Sequence, residues 1–296
     1  MLGCWDVGHQ EGITCRWQPR KGVMTTGDDE QLGHTNEHNY FEGAHQKHSS
    51  IDECVSIYPE MERLNLSSRA RLFFHLSATV HLGYAIYFDL RYAQLPQVAV
   101  TLRLEPPIGG KFKYMTFLCG LLQLGYYTLA LTFDLLRVRS LRKLRDYIFA
   151  TLAVPLALTV GLTFWTLFAI DRESIYPVLL DLVYPNWLNH TMHTFVVIYA
   201  FVELGITRHQ YPKRSRGFTG LGAFMVGYLV WIHIVWFRTG IWVYPFLGGI
   251  AWQLRVMFFV LIMVLGFVYY LFGERVNNVL WQRSTGAHRW IGNDSH

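Results

Sequence analysis

The chain has 296 residues, of which 52% are hydrophobic, 16% aromatic and only 16% charged. This composition is too apolar for most soluble domains of that length. The net charge of +5 averages an acidic beginning with a basic remainder, because residues 1–67 hold 11 of the 21 acidic residues. The basic residues lie in short loops between apolar runs, which indicates membrane topology and argues against a nucleic-acid-binding face.

Residues 1–67 are the first predicted region. Histidines are scattered there among Gly, Asp, Glu and Ser, and no helical or strand periodicity persists. A segment of this composition does not bury enough apolar surface to fold by itself. We predict a disordered cytosolic extension.

Six apolar runs follow, and each approaches the 20 or so residues that a helix needs to cross a bilayer core of about 30 Å. They cover about 72–90, 112–136, 147–170, 188–206, 218–237 and 256–272. We therefore predict an all-α fold, a six-helix integral membrane bundle over residues 68–282. Residues 283–296 are predicted to form a tail.

The loops between the runs give the orientation. Fourteen Lys and Arg residues flank the runs on one side and seven on the other. Positively charged loops stay in the cytosol, so both termini are predicted to be cytosolic. The second and fourth helices then enter the membrane from the non-cytosolic side.

The start of the fourth run contains two histidines, His190 and His193, within Trp187–His193. Residues three apart lie on the same side of a helix. Imidazoles in a membrane helix are costly, so they indicate a functional site.

The predicted topology brings a threonine to the same depth as these histidines. Thr116 lies about four residues into the second helix and His193 about five residues into the fourth, or roughly 6 and 7 Å at 1.5 Å per residue. A hydroxyl and an imidazole at one depth could act together as a nucleophile and its general base. The alternative for Thr116 is a hydrogen bond to its own backbone one turn earlier.

Two rival interpretations stay open at this point. Cys119 follows Thr116 by three residues, and a thiol is a better nucleophile than a hydroxyl, although cysteines are often simply buried. His190 and His193 also have a spacing compatible with two metal ligands on one helix, but the chain contains one such pair and a metal site needs further ligands. We predict no metal and no other cofactor.

An ordered series of motifs over residues 68–282 resembles the family of the androgen-induced and androgen-dependent TFPI-regulating proteins. The motifs are Gly109-Gly110, Thr116-Phe117, Asp171-Arg172-Glu173, Ile175-Tyr176-Pro177, Trp187-Leu188-Asn189-His190, Met192-His193-Thr194, His209-Gln210-Tyr211-Pro212, Trp242-Val243-Tyr244-Pro245-Phe246 and Gly273-Glu274.

This resemblance implies a six-helix membrane hydrolase that cleaves fatty acid esters of hydroxy fatty acids. The family's threonine nucleophile maps onto Thr116 and its histidine base onto His193, with an acyl-threonine intermediate. We add two sets of candidates from position and charge. Asn189 and His190 are candidates for support or for oxyanion donors, and basic residues near the same mouth are candidates for the substrate carboxylate: Lys111, Lys113 and Arg172.

The resemblance leaves other classes of function open. The chain could be a signalling or scaffold membrane protein without turnover, or a transporter, for which Glu203 in the fourth run is the main candidate. For the hydrolase, the expected partners are a lipid ester and the membrane, with no nucleic acid. The expected location is the endoplasmic reticulum or the plasma membrane.

Overall fold

The computed structural model describes residues 68–93 and 106–290, with side chains up to residue 281. Regular secondary structure in this part of the chain is entirely helical, which confirms the predicted all-α class. The predicted extension 1–67 and residues 291–296 lie outside the described residues.

Each predicted apolar run falls within one long helix or at its edge. The helices are α1 (68–91), α2 (Met115–Leu136), α3 (Arg139–Ile170), α4 (186–206), α5 (Arg214–Thr239) and α6 (Trp252–Trp290). The segments Met115–Leu136, Arg139–Ile170, Arg214–Thr239 and Trp252–Trp281 are long and apolar enough to cross a membrane. That α1 and α4 also cross it, and that both termini are cytosolic, remain predictions.

The start of α2 is set by two adjacent glycines. Gly109 and Gly110 have φ angles of 87° and 50°, which residues other than glycine rarely adopt. They lead into a 3₁₀ turn, Gly110–Lys113, after which α2 begins at Met115. Thr116 is therefore the second residue of its helix and not a residue of the helix interior.

Two π-helical turns interrupt the regular helices. The first, Phe149–Ala153, comes just before Pro155 in α3, where the proline removes one backbone donor. The second, Thr191–Phe195, lies in α4 and contains His193. Such turns change which way the side chains face and are frequent at functional sites.

A close approach of α3 and α4 positions the backbone of His193. A Cβ atom on Gly161 of α3 would lie 2.5 Å from the carbonyl oxygen of His193. Small residues at contacts between membrane helices allow backbones to approach in this way. Gly161 is thus required for the observed packing of the π turn against α3.

A buried ionic network joins α1, α2 and α4 at the ends that lie away from Thr116 and His193. Glu203 of α4 lies 2.9 Å from His75 Nε2, and His75 Nδ1 lies 2.8 Å from Asp134 of α2. Tyr126 also donates to Glu203, and His209 lies 3.3 Å from it. Buried charges are tolerated when they are paired in this way. Glu203 therefore links α4 to α1 and α2.

Candidate active site

Thr116 and His193 face each other across the α2–α4 contact. Thr116 Oγ1 lies 3.2 Å from His193 Nε2. Thr116 is partly buried, whereas His193 is only 5% exposed. The separation is within hydrogen-bond reach, which a nucleophile and its general base require.

The other ring nitrogen of His193 fixes the direction of this hydrogen bond. Nδ1 lies 3.0 Å from the backbone carbonyl oxygen of Asn189 and 2.8 Å from its side-chain Oδ1. A carbonyl oxygen only accepts, so Nδ1 must carry the proton. Nε2 then has a free lone pair and accepts from the Thr116 hydroxyl.

The plane of the His193 ring is held by stacking. The ring of Phe164 in α3 lies 3.5 Å from it, centroid to centroid, at an interplanar angle of 12°. This aromatic neighbour covers one face of the imidazole and restricts its rotation. Nothing in the sequence pattern distinguished Phe164 from other apolar residues of its helix.

His190 and His193 do not converge on one point. His190 is exposed, stacks on Trp165 at 5.3 Å and lies 3.2 Å from the Thr194 hydroxyl. Over 68–93 and 106–281, no group of three or more His, Cys, Asp or Glu side chains is arranged to hold a metal ion. The two histidines therefore have different neighbours, Thr116 for His193 and Trp165 with Thr194 for His190.

Thr116 lines an apolar groove between α2, α3, α5 and α6. The other residues of this groove are almost all apolar or aromatic. They are Met115, Thr159, Val160, Thr163, Phe164, Leu167, Ile175, Met225, Tyr228, Leu229, Ile232, Tyr244, Phe246, Leu247, Phe258, Phe259, Ile262 and Met263. A groove of this kind suits an acyl chain.

A separate polar pocket lies next to Asn189, the residue that contacts His193 Nδ1. Its lining contains Arg172, Tyr176, Asp181 and Asn189, together with Phe168, Pro185 and Asn186. Asn189, which contacts His193, is part of its wall. Burial raises the pKa of Tyr176 to about 12, so this phenol stays neutral, and it donates to the Tyr184 carbonyl.

The three basic candidates differ in their surroundings. Lys111 pairs with Asp89 at 2.9 Å, and Lys113 is 2% exposed and donates to the Pro106 carbonyl. Neither lines the apolar groove or the polar pocket. Arg172 does line the polar pocket, where it forms an ion pair with Asp181.

The rival nucleophile Cys119 is fully buried. It packs in a cluster with Leu156, Leu221 and Tyr270 and does not line the groove. Its thiol therefore does not face the groove beside Thr116.

Two tyrosines that sequence reasoning did not select hold the start of α2. The Met115 N–H lies 3.0 Å from the Tyr228 hydroxyl and 3.1 Å from the Tyr244 hydroxyl. The two hydroxyls are 2.9 Å apart. The only signal in the sequence was the Tyr244-Pro245 pair, which is also typical of an ordinary turn.

Apolar helices of spanning length fit a multi-pass membrane protein, and its site contains a threonine and a histidine. The family model of the FAR-17a/AIG1-like proteins matches residues 70–278. The chain belongs to this family.

Individual relatives agree with that membership. The chain is 40% identical over 187 residues to the androgen-induced gene 1 protein of Homo sapiens, a match that covers 58% of this chain and 79% of the relative. It is 38% identical over 180 residues to the human androgen-dependent TFPI-regulating protein, covering 58% and 78%. The mouse form of the latter is 37% identical over the same length. No solved structure matches the chain.

Proposed function

We propose that this membrane protein hydrolyses fatty acid esters of hydroxy fatty acids, with Thr116 as nucleophile and His193 as general base. The observation that carries the proposal is the 3.2 Å hydrogen bond from the Thr116 hydroxyl to the free lone pair of His193 Nε2. The apolar groove beside Thr116 supports a lipid substrate. The enzyme would act at the endoplasmic reticulum or the plasma membrane.

The first step transfers the acyl group to the protein. His193 Nε2 takes the Thr116 proton while Oγ1 bonds to the ester carbonyl carbon. The C–O bond to the hydroxy fatty acid then breaks, and its oxygen receives that proton from His193. The hydroxy fatty acid leaves, and the fatty acid remains attached as an acyl-threonine.

The second step regenerates the enzyme. A water molecule gives a proton to His193 Nε2 and attacks the acyl carbon. The bond to Thr116 Oγ1 breaks, this oxygen recovers the proton, and the fatty acid is released. The same imidazole therefore acts as base and acid in both steps, which requires that Nδ1 keep its proton throughout.

The oxyanion donors proposed here differ from the two initial candidates. Asn189 uses its side-chain oxygen to accept from His193, and His190 contacts Trp165 and Thr194. The first backbone N–H groups of a helix lack intrahelical acceptors, and those of Thr116 and Phe117 belong to the first turn of α2. We assign these N–H groups to the developing negative charge.

Covalent labelling tests the nucleophile directly. The wild-type protein in lipid nanodiscs should react with an alkyl fluorophosphonate, and Thr116→Ala should not. Cys119→Ala should label as wild type does, because the thiol is buried away from the groove. Labelling that survives Thr116→Ala contradicts the assignment. A protein that neither labels nor hydrolyses branched lipid esters is the scaffold alternative.

A further inference from the structure

Arg255 of α6 is a partly buried cation without an acidic partner in the part of the chain that the structure describes. Arg71 pairs with Asp134 and Arg145 with Asp146, whereas the buried Lys113 donates to the Pro106 carbonyl. No carboxylate among the described residues lies within ion-pair distance of Arg255, and its Nε is buried without any hydrogen-bond acceptor. An unpaired donor on a charged group is costly, so it is a position where a ligand gains binding energy.

The guanidinium group is held in one place from two directions. Its Nη2 donates to the Ile250 carbonyl at 2.8 Å, and its Cζ lies 4.8 Å from the centre of the Trp242 ring. Trp242 is itself fixed by stacking on Trp236 at 5.1 Å and 17°. A planar, fixed guanidinium is suited to bidentate binding of a carboxylate.

Arg255 is one helical turn from the wall of the apolar groove. Phe258 and Phe259 follow it by three and four residues, so they lie on the same face of α6. Both line the groove, as do Ile262 and Met263 one turn further. Arg255 therefore lies one turn before the part of α6 that lines the groove, and Thr116 lines the same groove from α2.

We propose that Arg255 binds the free carboxylate of the hydroxy fatty acid part of the substrate. This inference rests on the proposed function. It names the groove's occupant as a lipid that carries one carboxylate, whose ester is placed at Thr116. Arg172 is less suited to this role because Asp181 already occupies its guanidinium, and a substrate carboxylate would have to displace that aspartate.

The test compares two substrates that differ only in charge. A branched fatty acid ester and its methyl ester, in which the free carboxylate is capped, are assayed with the protein in nanodiscs. The readout is the ratio of kcat/KM for the acid to kcat/KM for the methyl ester, measured within each variant. A hydrogen-bonded charge pair predicts a wild-type ratio of about 10 to 100.

Arg255→Gln should reduce this ratio to near one. Arg238→Gln is the matched control, because Arg238 is an exposed cation at the end of α5, and its ratio should stay at the wild-type value. If Arg255→Gln does not fold, Arg255→Met, which retains the apolar stem over Trp242, gives the same comparison.

The outcomes separate this inference from the function on which it rests. Turnover that depends on Thr116, with a ratio unchanged in both Arg255 variants, overturns the inference alone. A ratio that falls to one in Arg172→Gln but not in Arg255→Gln also overturns it and places the carboxylate in the polar pocket. A wild-type protein that hydrolyses neither ester overturns the proposed function and this inference with it.

Discussion

Among the described residues, two threonine–histidine pairs of nearly equal length join different helices. Thr116 Oγ1 lies 3.2 Å from His193 Nε2, and Thr191 Oγ1 lies 3.1 Å from His81 Nε2. Both pairs join α4 to another helix. Distance alone therefore does not distinguish the proposed catalytic pair from the other pair.

The difference lies in the direction of the hydrogen bonds. Thr191 donates its proton to the Trp187 carbonyl at 2.8 Å, so it can only accept from His81 Nε2. His81 Nδ1 in turn accepts from the Tyr199 hydroxyl at 2.6 Å. His81 Nε2 thus carries a proton and donates it to Thr191, whereas His193 Nε2 carries a lone pair that accepts from Thr116. A base of the first kind has no free lone pair for the threonine's proton.

Helix position explains why the two threonines behave differently. Six threonines in the described helices donate to the carbonyl four residues earlier, and they are Thr79, Thr128, Thr132, Thr159, Thr191 and Thr239. Thr116 is only the second residue of α2, and the carbonyl four residues before it, that of Phe112, lies outside the helix and accepts from Trp231. Its hydroxyl is left to the histidine.

The largest expected effect comes from removing the two hydroxyls in turn. Thr116→Val keeps the shape of the side chain but removes the nucleophile, and kcat for a branched lipid ester should fall on the order of 10³-fold or more. Thr191→Val is the matched control and should retain activity within about fivefold, since one backbone-directed hydrogen bond contributes about 1 kcal/mol. Equal losses in the two variants would show that both act through the fold.

Substitution of the two histidines, one at a time, should give the next largest effect. His193→Gln removes the general base, which contributes about 10²- to 10⁴-fold. His81→Gln should lower thermal stability slightly, through its contacts with Thr191 and Tyr199, and leave kcat within about threefold. Steady-state kinetics and thermal unfolding of both variants measure the contrast. A catalytic loss in His81→Gln as large as that in His193→Gln would contradict the distinction drawn from proton direction.

The sequence predicted the helices better than it predicted these details. Apolar runs of spanning length indicate where the helices lie, because each residue contributes to the pattern separately. Topology and resemblance together selected Thr116 and His193. The stacking of Phe164 on His193 depends on how α3 packs against α4. The ion pair of Lys111 with Asp89 depends on how the turn before α2 packs against α1. No local pattern encodes such contacts between distant segments.

The smallest effect, and the most specific test of proton direction, concerns Asn189. Its side chain supplies one of the two oxygens that accept from His193 Nδ1, and its backbone carbonyl supplies the other. Asn189→Ala removes only the first, so the correct tautomer persists and kcat should fall about fivefold, equivalent to about 1 kcal/mol. Asn189→Asp restores an acceptor at the same place and should recover activity. If Asn189→Asp is as impaired as Asn189→Ala, then an acceptor at this place does not support His193, and the role given to Asn189 Oδ1 is wrong.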